Sequence, residues 1–322
     1  MLSKFLDPKN DVAFKRIFGS EKNKDILIHF LNDMITFKGR GRIVDVEFLP
    51  NTQDPAVAAQ RMSIVDILCR DEHQHVYIVE MQVAKERGFE KRAQLYAAKA
   101  YISQMSTKRE YYDLQEVIFL AITNFEMFSK KKAYKSDHVI MDLETHENDL
   151  KGFSFTFLEL PKFHVDIDHL SNMTEKWAYF FKHAGETHER DLPKLVGQDT
   201  VIEKAYEELN RFYWNEKELL TYDNAQKHEG IYRACLAQKF DEGEASGIEK
   251  GIKRGVEKGL KTGLKKGIKK GIEKGRKEGL QEGLEKGRQE GARNAALKMV
   301  EALRARGINL ETVAEVAHLS EE

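Results

Sequence analysis

At 322 residues, 41% of them hydrophobic, the chain can bury a large core, and its two distant cysteines, Cys69 and Cys235, exclude a disulfide scaffold and a cysteine-built zinc site. Its 52 basic and 53 acidic residues nearly cancel overall but not locally: Gly243 to Gly291 holds 14 Lys and Arg against 8 Glu, so that stretch is +6 and the rest −7. A basic tail on an acidic body points to polyanions, or to the body itself, and with no run near 18 apolar residues and a charged N-terminus, MLSKFLDPKNDVAFKRIFG, a cytoplasmic protein with no membrane span is expected.

Two amphipathic helices come first, NDVAFKRIF (Asn10 to Phe18) and KDILIHFLNDMI (Lys24 to Ile35), the second closed by Gly39 and Gly41. Ile43 to Leu49 alternates as a half-buried strand does, with Asp45 and Glu47 on its solvated side, and Pro50 ends it. Two dense apolar runs follow, SIVDILC (Ser63 to Cys69) and VYIVEM (Val76 to Met81), joined by the polar RDEHQH that predicts a hairpin turn. Gly88 opens a helix to about Ser106, and VIFLAITNF from Val117 predicts a buried strand. Weaker strand signals lie at HVIMDL and FSFTFLEL, and from about Asn172 to Leu236 the chain is helix-rich. The order is helix, strand, strand, strand, helix, strand, then an extension.

From Gly243 to Gly291 glycine occupies every fourth position, thirteen times, usually followed by an aliphatic residue such as Ile248, Val256 or Leu264 and two charged ones. A glycine inside a helix costs about 1 kcal/mol against alanine, so thirteen cost about 13 kcal/mol, too much for an isolated helix. A self-associating helical stalk is favoured over a flexible basic linker, and both over a segment that tracks DNA. Beyond it, AALKMVEALRARG and INLETVAEVAHLS suggest two short helices about Gly307.

Each apolar run of the hairpin holds one acid, Asp66 and Glu80, fourteen residues apart with a turn between them. Antiparallel pairing can set them opposite or diagonal, where they could share a divalent cation. Such a cation would offset the cost of burying two charges, and Mg2+ suits it because it takes carboxylate oxygen, keeps waters and accepts substrate phosphate. Phosphodiester hydrolysis follows naturally from that set. Gln82 lies two residues beyond Glu80 on the same strand face, where its amide could hold the attacking water. Arg92, Gln94, Tyr96 and Lys99, on the following helix, are candidate contacts to a DNA strand. Asp11 could add a further acid, although a solvated helix surface explains it better, and the eleven histidines show no HExxH or paired ligand spacing.

In these strings the sequence resembles the recombination-promoting (Rpn) nucleases, also called PD-(D/E)XK family transposases. LDPKNDVAFKRIFGSEKNKDILIHFLNDMI, SIVDILCRDEHQHVYIVEMQ, FEKRAQLYAAKAYISQM and VIFLAITNF follow that family's landmarks in its order, over most of residues 6 to 125. The resemblance implies an α/β, restriction-endonuclease-like αβββαβ core and Mg2+-dependent DNA cleavage, Mn2+ being a substitute. It matches Asp66 to the strand aspartate and Glu80 to the glutamate of the bipartite motif. Val65 stands where the superfamily's name has proline, and Gln82 where it has lysine, as this family shows; Arg61, Lys85 or Lys99 could replace the missing charge.

The expected organisation is a nuclease-like core over 1–165, a helical extension over 166–242, the glycine tetrads over 243–292 as stalk or linker, and a helical pair over 293–322. The expected function is a Mg2+-dependent DNA endonuclease associated with recombination or mobile elements, with Asp66, Glu80 and Gln82 catalytic and the first two holding metal. Its partners would be DNA and, through the tail, further copies of itself. The alternative is a non-catalytic DNA-binding or assembly protein that retains the nuclease fold, a reading that Gln82 keeps open.

Overall fold

Asn10 starts the first helix: its side chain accepts the Val12 N–H at 3.0 Å and caps α1 (Asp11–Phe18), whose Ala13, Phe14, Ile17 and Phe18, spaced three and four apart, are buried. Helix α2 (Lys24–Met34) follows and buries Ile26, Leu27, Phe30, Leu31 and Met34. This is a computed structural model, and it describes residues 3–35, 41–53, 63–105, 110–197 and 199–307.

The strand expected over Ile43 to Leu49 is shorter, β1 (Val46–Phe48). Upstream, the Ile43 backbone is held by the Asn32 side chain through two 2.9 Å hydrogen bonds, and Val44, 76% exposed, gives its N–H to the Glu72 carboxylate. Side-chain partners thus satisfy a backbone that would otherwise enter the ladder. The run Ser63 to Cys69 is also split. Its start, β3 (Ser63–Ile64), pairs with β2 (Thr52–Gln53), and its end, β4 (Ile67–Asp71), pairs with β1 and with β5 (Val76–Gln82). The interruption falls at Val65 and Asp66. The β4–β5 turn closes on Asp71, whose carboxylate accepts the N–H groups of His73 and His75 and the Tyr77 hydroxyl, each at 2.9 Å.

Gly88, at φ +85°, turns the chain into α3 (Phe89–Ile102), which leads to the wholly buried β6 (Val117–Thr123). Strand β7 (Lys135–Val139) begins earlier than the HVIMDL run, and β8 (Phe153–Glu159) lies where FSFTFLEL predicts it. The six-stranded sheet has the order β1-β4-β5-β6-β8-β7; β5, β6 and β8 run parallel and the other pairs antiparallel.

One sheet face, with Tyr77, Val79, Ile118 and Leu120, packs on α1, α2, α4 (Met173–His183) and α6 (Thr200–Glu208) through Phe14, Phe18, Phe30, Trp177, Phe181 and Tyr206. The other face, with Leu68, Ile78 and Phe119, is covered by Phe89, Ala93 and Ala97 of α3. Helices from beyond residue 165 therefore share one core with the first two. The short α5 (Leu192–Val196) precedes α6, and Tyr222, near the start of α7 (Glu216–Ala305), is buried.

Two units divide the chain, Met1–Leu236 and Ala237–Glu322. Within the second, the tetrad residues are helical, and the aliphatic positions from Ile248 to Leu284 are each more than half exposed. The segment AALKMVEALRARG continues α7 as far as Ala305, whereas INLETVAEVAHLS lies outside the described residues. Among the described residues no helix is long and apolar enough to cross a membrane.

Candidate metal centre

The β4–β5 register pairs Ile67 with Val79 and Leu68 with Ile78; one step further it sets Asp66 opposite Glu80. Asp66 precedes the first ladder residue of β4, and its N–H goes to a side chain and not to the ladder. Each acid accepts a backbone amide from the other's strand: Met81 N–H donates to Asp66 Oδ2 at 2.9 Å, and Asp66 N–H to Glu80 Oε1 at 3.2 Å. Glu80 is only 5% exposed. Among the described residues neither acid forms an ion pair. Burial, then the adjacent Asp66 charge, push the Glu80 carboxyl up to about 8, and burial raises Asp66 to about 6. A buried and a half-buried acid with this surplus of negative charge call for a proton or a cation.

A cavity of about 140 Å3 opens beside Asp66, lined also by Lys9, Asn10 and Asp11 from the start of α1, Met81 and Val83 from the end of β5, and Ala225 and Glu229 from α7. Asp11 is exposed at this mouth and bound to Lys15 Nζ at 2.7 Å, one helical turn on. Lys15 feels both acids: burial draws its pKa down, but Asp11, Asp66 and Glu80 outweigh that and raise it.

On the other side stands α3. Arg92 donates to Gln82 Oε1 at 2.5 Å and to the Glu86 carboxylate, while its guanidinium lies 4.9 Å from the Phe89 ring centroid and 5.9 Å from that of Tyr96. Gln82 in turn gives its amide to the Ala84 carbonyl at 3.2 Å. The Tyr96 hydroxyl is raised by burial, with Arg92 opposing and Glu80 adding to it. Asp66, Glu80, Gln82, Arg92 and Tyr96 are thus brought together. Gln94 is not: it lies about 200° around the helix from Arg92, exposed, with its amide on the Glu90 carbonyl. Lys99 is half-buried one turn beyond Tyr96.

Of the bases considered for the missing charge, Arg61 lies outside the described residues and Lys85 donates to the Glu126 carbonyl from an exposed position. Asp45 and Glu47 remain on the solvated edge, paired with Lys24 and Arg70. Lys15 and Glu229 were not singled out from the sequence. The signal for Lys15 was its i,i+4 spacing from Asp11 on the polar face of α1, but nothing local says that this face meets the hairpin.

Among the described residues no group of three His, Cys, Asp or Glu side chains forms a ligand set. Two paired carboxylates, of which Asp66 lines the cavity, fit Mg2+ or Mn2+, which take oxygen ligands and fill their other positions with water and phosphate, better than Zn2+. The model of the PD-(D/E)XK nuclease family transposases matches residues 8–238, from just before α1 into the first turns of α7. No curated protein and no solved structure matches the chain.

Proposed function

This chain belongs to the PD-(D/E)XK nuclease family transposases, and on that premise we propose that it is a DNA endonuclease of recombination or mobile elements, hydrolysing phosphodiester bonds with Mg2+ held by Asp66 and Glu80. The observation that carries this reading is the pair itself: two acids opposite each other on a hairpin, cross-bonded to each other's backbone and charged at a cost. The mixed sheet flanked by helices is consistent with the family's fold. A bound divalent cation would supply Lewis acidity and a more acidic water.

The chain's own groups do the rest. The carboxylates would hold the metal that draws in the scissile phosphate, and Gln82, fixed through its oxygen by Arg92, orients the attacking water from beside Glu80. Arg92, Tyr96 and Lys99, on one side of α3, face the DNA backbone, where contacts position without reading sequence, and Gln94, on the other side of the helix, stands outside that contact. The tail joins copies of the chain.

Gln82 supports a second reading, a DNA-binding protein without turnover. Supercoiled plasmid incubated with the full chain in Mg2+, Mn2+ or EDTA separates the two. Metal-dependent nicking that disappears in Glu80→Ala supports the nuclease. DNA binding without nicking by the wild type establishes the non-catalytic protein instead.

A further inference from the structure

If the hairpin acids hold a metal, the site still needs a fixed cation to meet the charge that builds on phosphate during hydrolysis, and Gln82 provides none. Arg92 stands on the α3 side, but its guanidinium is engaged by Gln82 and Glu86 and lies over Phe89. Lys9 gives its ammonium to the Phe181 carbonyl at 3.0 Å and to Asp7 at 2.8 Å.

Lys15 differs. Of its three N–H donors one goes to Asp11, an exposed residue that lines the same cavity as Asp66. Helix α1 holds it there: Asn10 caps the helix and also donates to the Tyr222 carbonyl at 3.2 Å, and Ala13 and Ile17 anchor the face opposite Lys15 in the core. We propose that Lys15, delivered by the first helix rather than by the strand that carries Glu80, is a catalytic residue whose ammonium contacts the scissile phosphate. Asp11 is then a positioning residue that aims it. This rests on the nuclease reading above.

The test uses the full chain as wild type, Lys15→Met and Lys15→Arg, with two readouts: single-turnover plasmid nicking, and calorimetric titration with Mn2+ alone. Lys15→Met should lower the cleavage rate constant by about 100- to 1000-fold, the usual loss for one transition-state donor. Apparent DNA affinity and melting temperature should change little, and Lys15→Arg should recover part of the rate. Removing a positive charge beside the acids should also tighten Mn2+ binding several-fold. Wild-type nicking with undiminished nicking by Lys15→Met overturns the role of Lys15 and leaves the nuclease standing. A rate loss that merely tracks melting or DNA binding overturns it too, as does unchanged Mn2+ affinity. A wild type that binds Mn2+ but never nicks overturns the nuclease reading, and the role of Lys15 with it.

Discussion

Glu80 gives the site its pH dependence. Its carboxyl is raised to about 8, by burial and then by Asp66, and Asp66 is raised to about 6. The folded state therefore holds protons that the unfolded chain releases near pH 4, so the contribution favours folding at low pH and is lost as pH rises through 6 and 8. In EDTA the melting temperature should fall by several degrees between pH 5 and pH 8.5, since 1 kcal/mol moves a unit of this size by about 2–4 °C. Glu80→Gln should flatten that slope, and Mg2+ should restore wild-type stability at the alkaline end. Scanning fluorimetry across the pH range checks this, and an identical slope in Glu80→Gln would show that the acids are not strained. The pair was legible in the sequence because an acid inside an apolar strand is conspicuous and a hairpin fixes who faces whom. Lys15 was not: a lysine on a helix's polar face looks the same whether it meets solvent or another element.

At the scale of elements, α1 is secured from its far side by Arg16, which reaches Glu208 beyond α6's core face at 3.2 Å and Glu218 of α7 at 2.7 Å, with its guanidinium 4.4 Å from the Trp214 ring. Glu208 is buried and keeps the exposed Lys22 and the Asn23 side chain as partners if Arg16 is removed. Arg16→Met should therefore cost about 2–3 kcal/mol, below the roughly 3–5 kcal/mol of a fully buried pair because Glu208 keeps other partners. Glu208→Gln in the same chain should recover part of that loss, and thermal denaturation of the two single variants and the double one measures the coupling. Strictly additive losses would mean that Arg16 acts through Glu218 and Trp214 and not through Glu208. Periodicity sufficed for α2, α3, β5, β6 and β8, where burial sets the pattern. It failed where polar side chains intervene, at Ile43, clasped by Asn32, and at Asp66, where a strand that looked continuous breaks as the Asp66 N–H turns to the Glu80 carboxylate.

For the molecule as a whole the unresolved demand is the tail. A β carbon added at any of its thirteen glycines would meet nothing within 4 Å beyond the helix's own backbone, so no intrachain contact requires glycine there. The glycines instead leave an apolar concavity along the helix, lined by Gly259, Leu260, Gly263, Leu264, Gly267 and Ile268. Four residues advance a helix by about 400°, so this stripe drifts about 40° per repeat, and a partner following it would wrap with right-handed sense. Two forces then oppose each other at each glycine. Alanine raises the helicity of a single chain by about 1 kcal/mol per site, yet it fills the notch through which two backbones could approach. Replacing Gly263 and Gly267 together by alanine should make the isolated 243–291 segment more helical by circular dichroism at low concentration, and should weaken the association of the full chain in sedimentation. If the alanine variant associates as well as the wild type or better, the glycines are not an interface. The tail would then serve as a basic tether, whose attraction to DNA depends on salt and not on helical register.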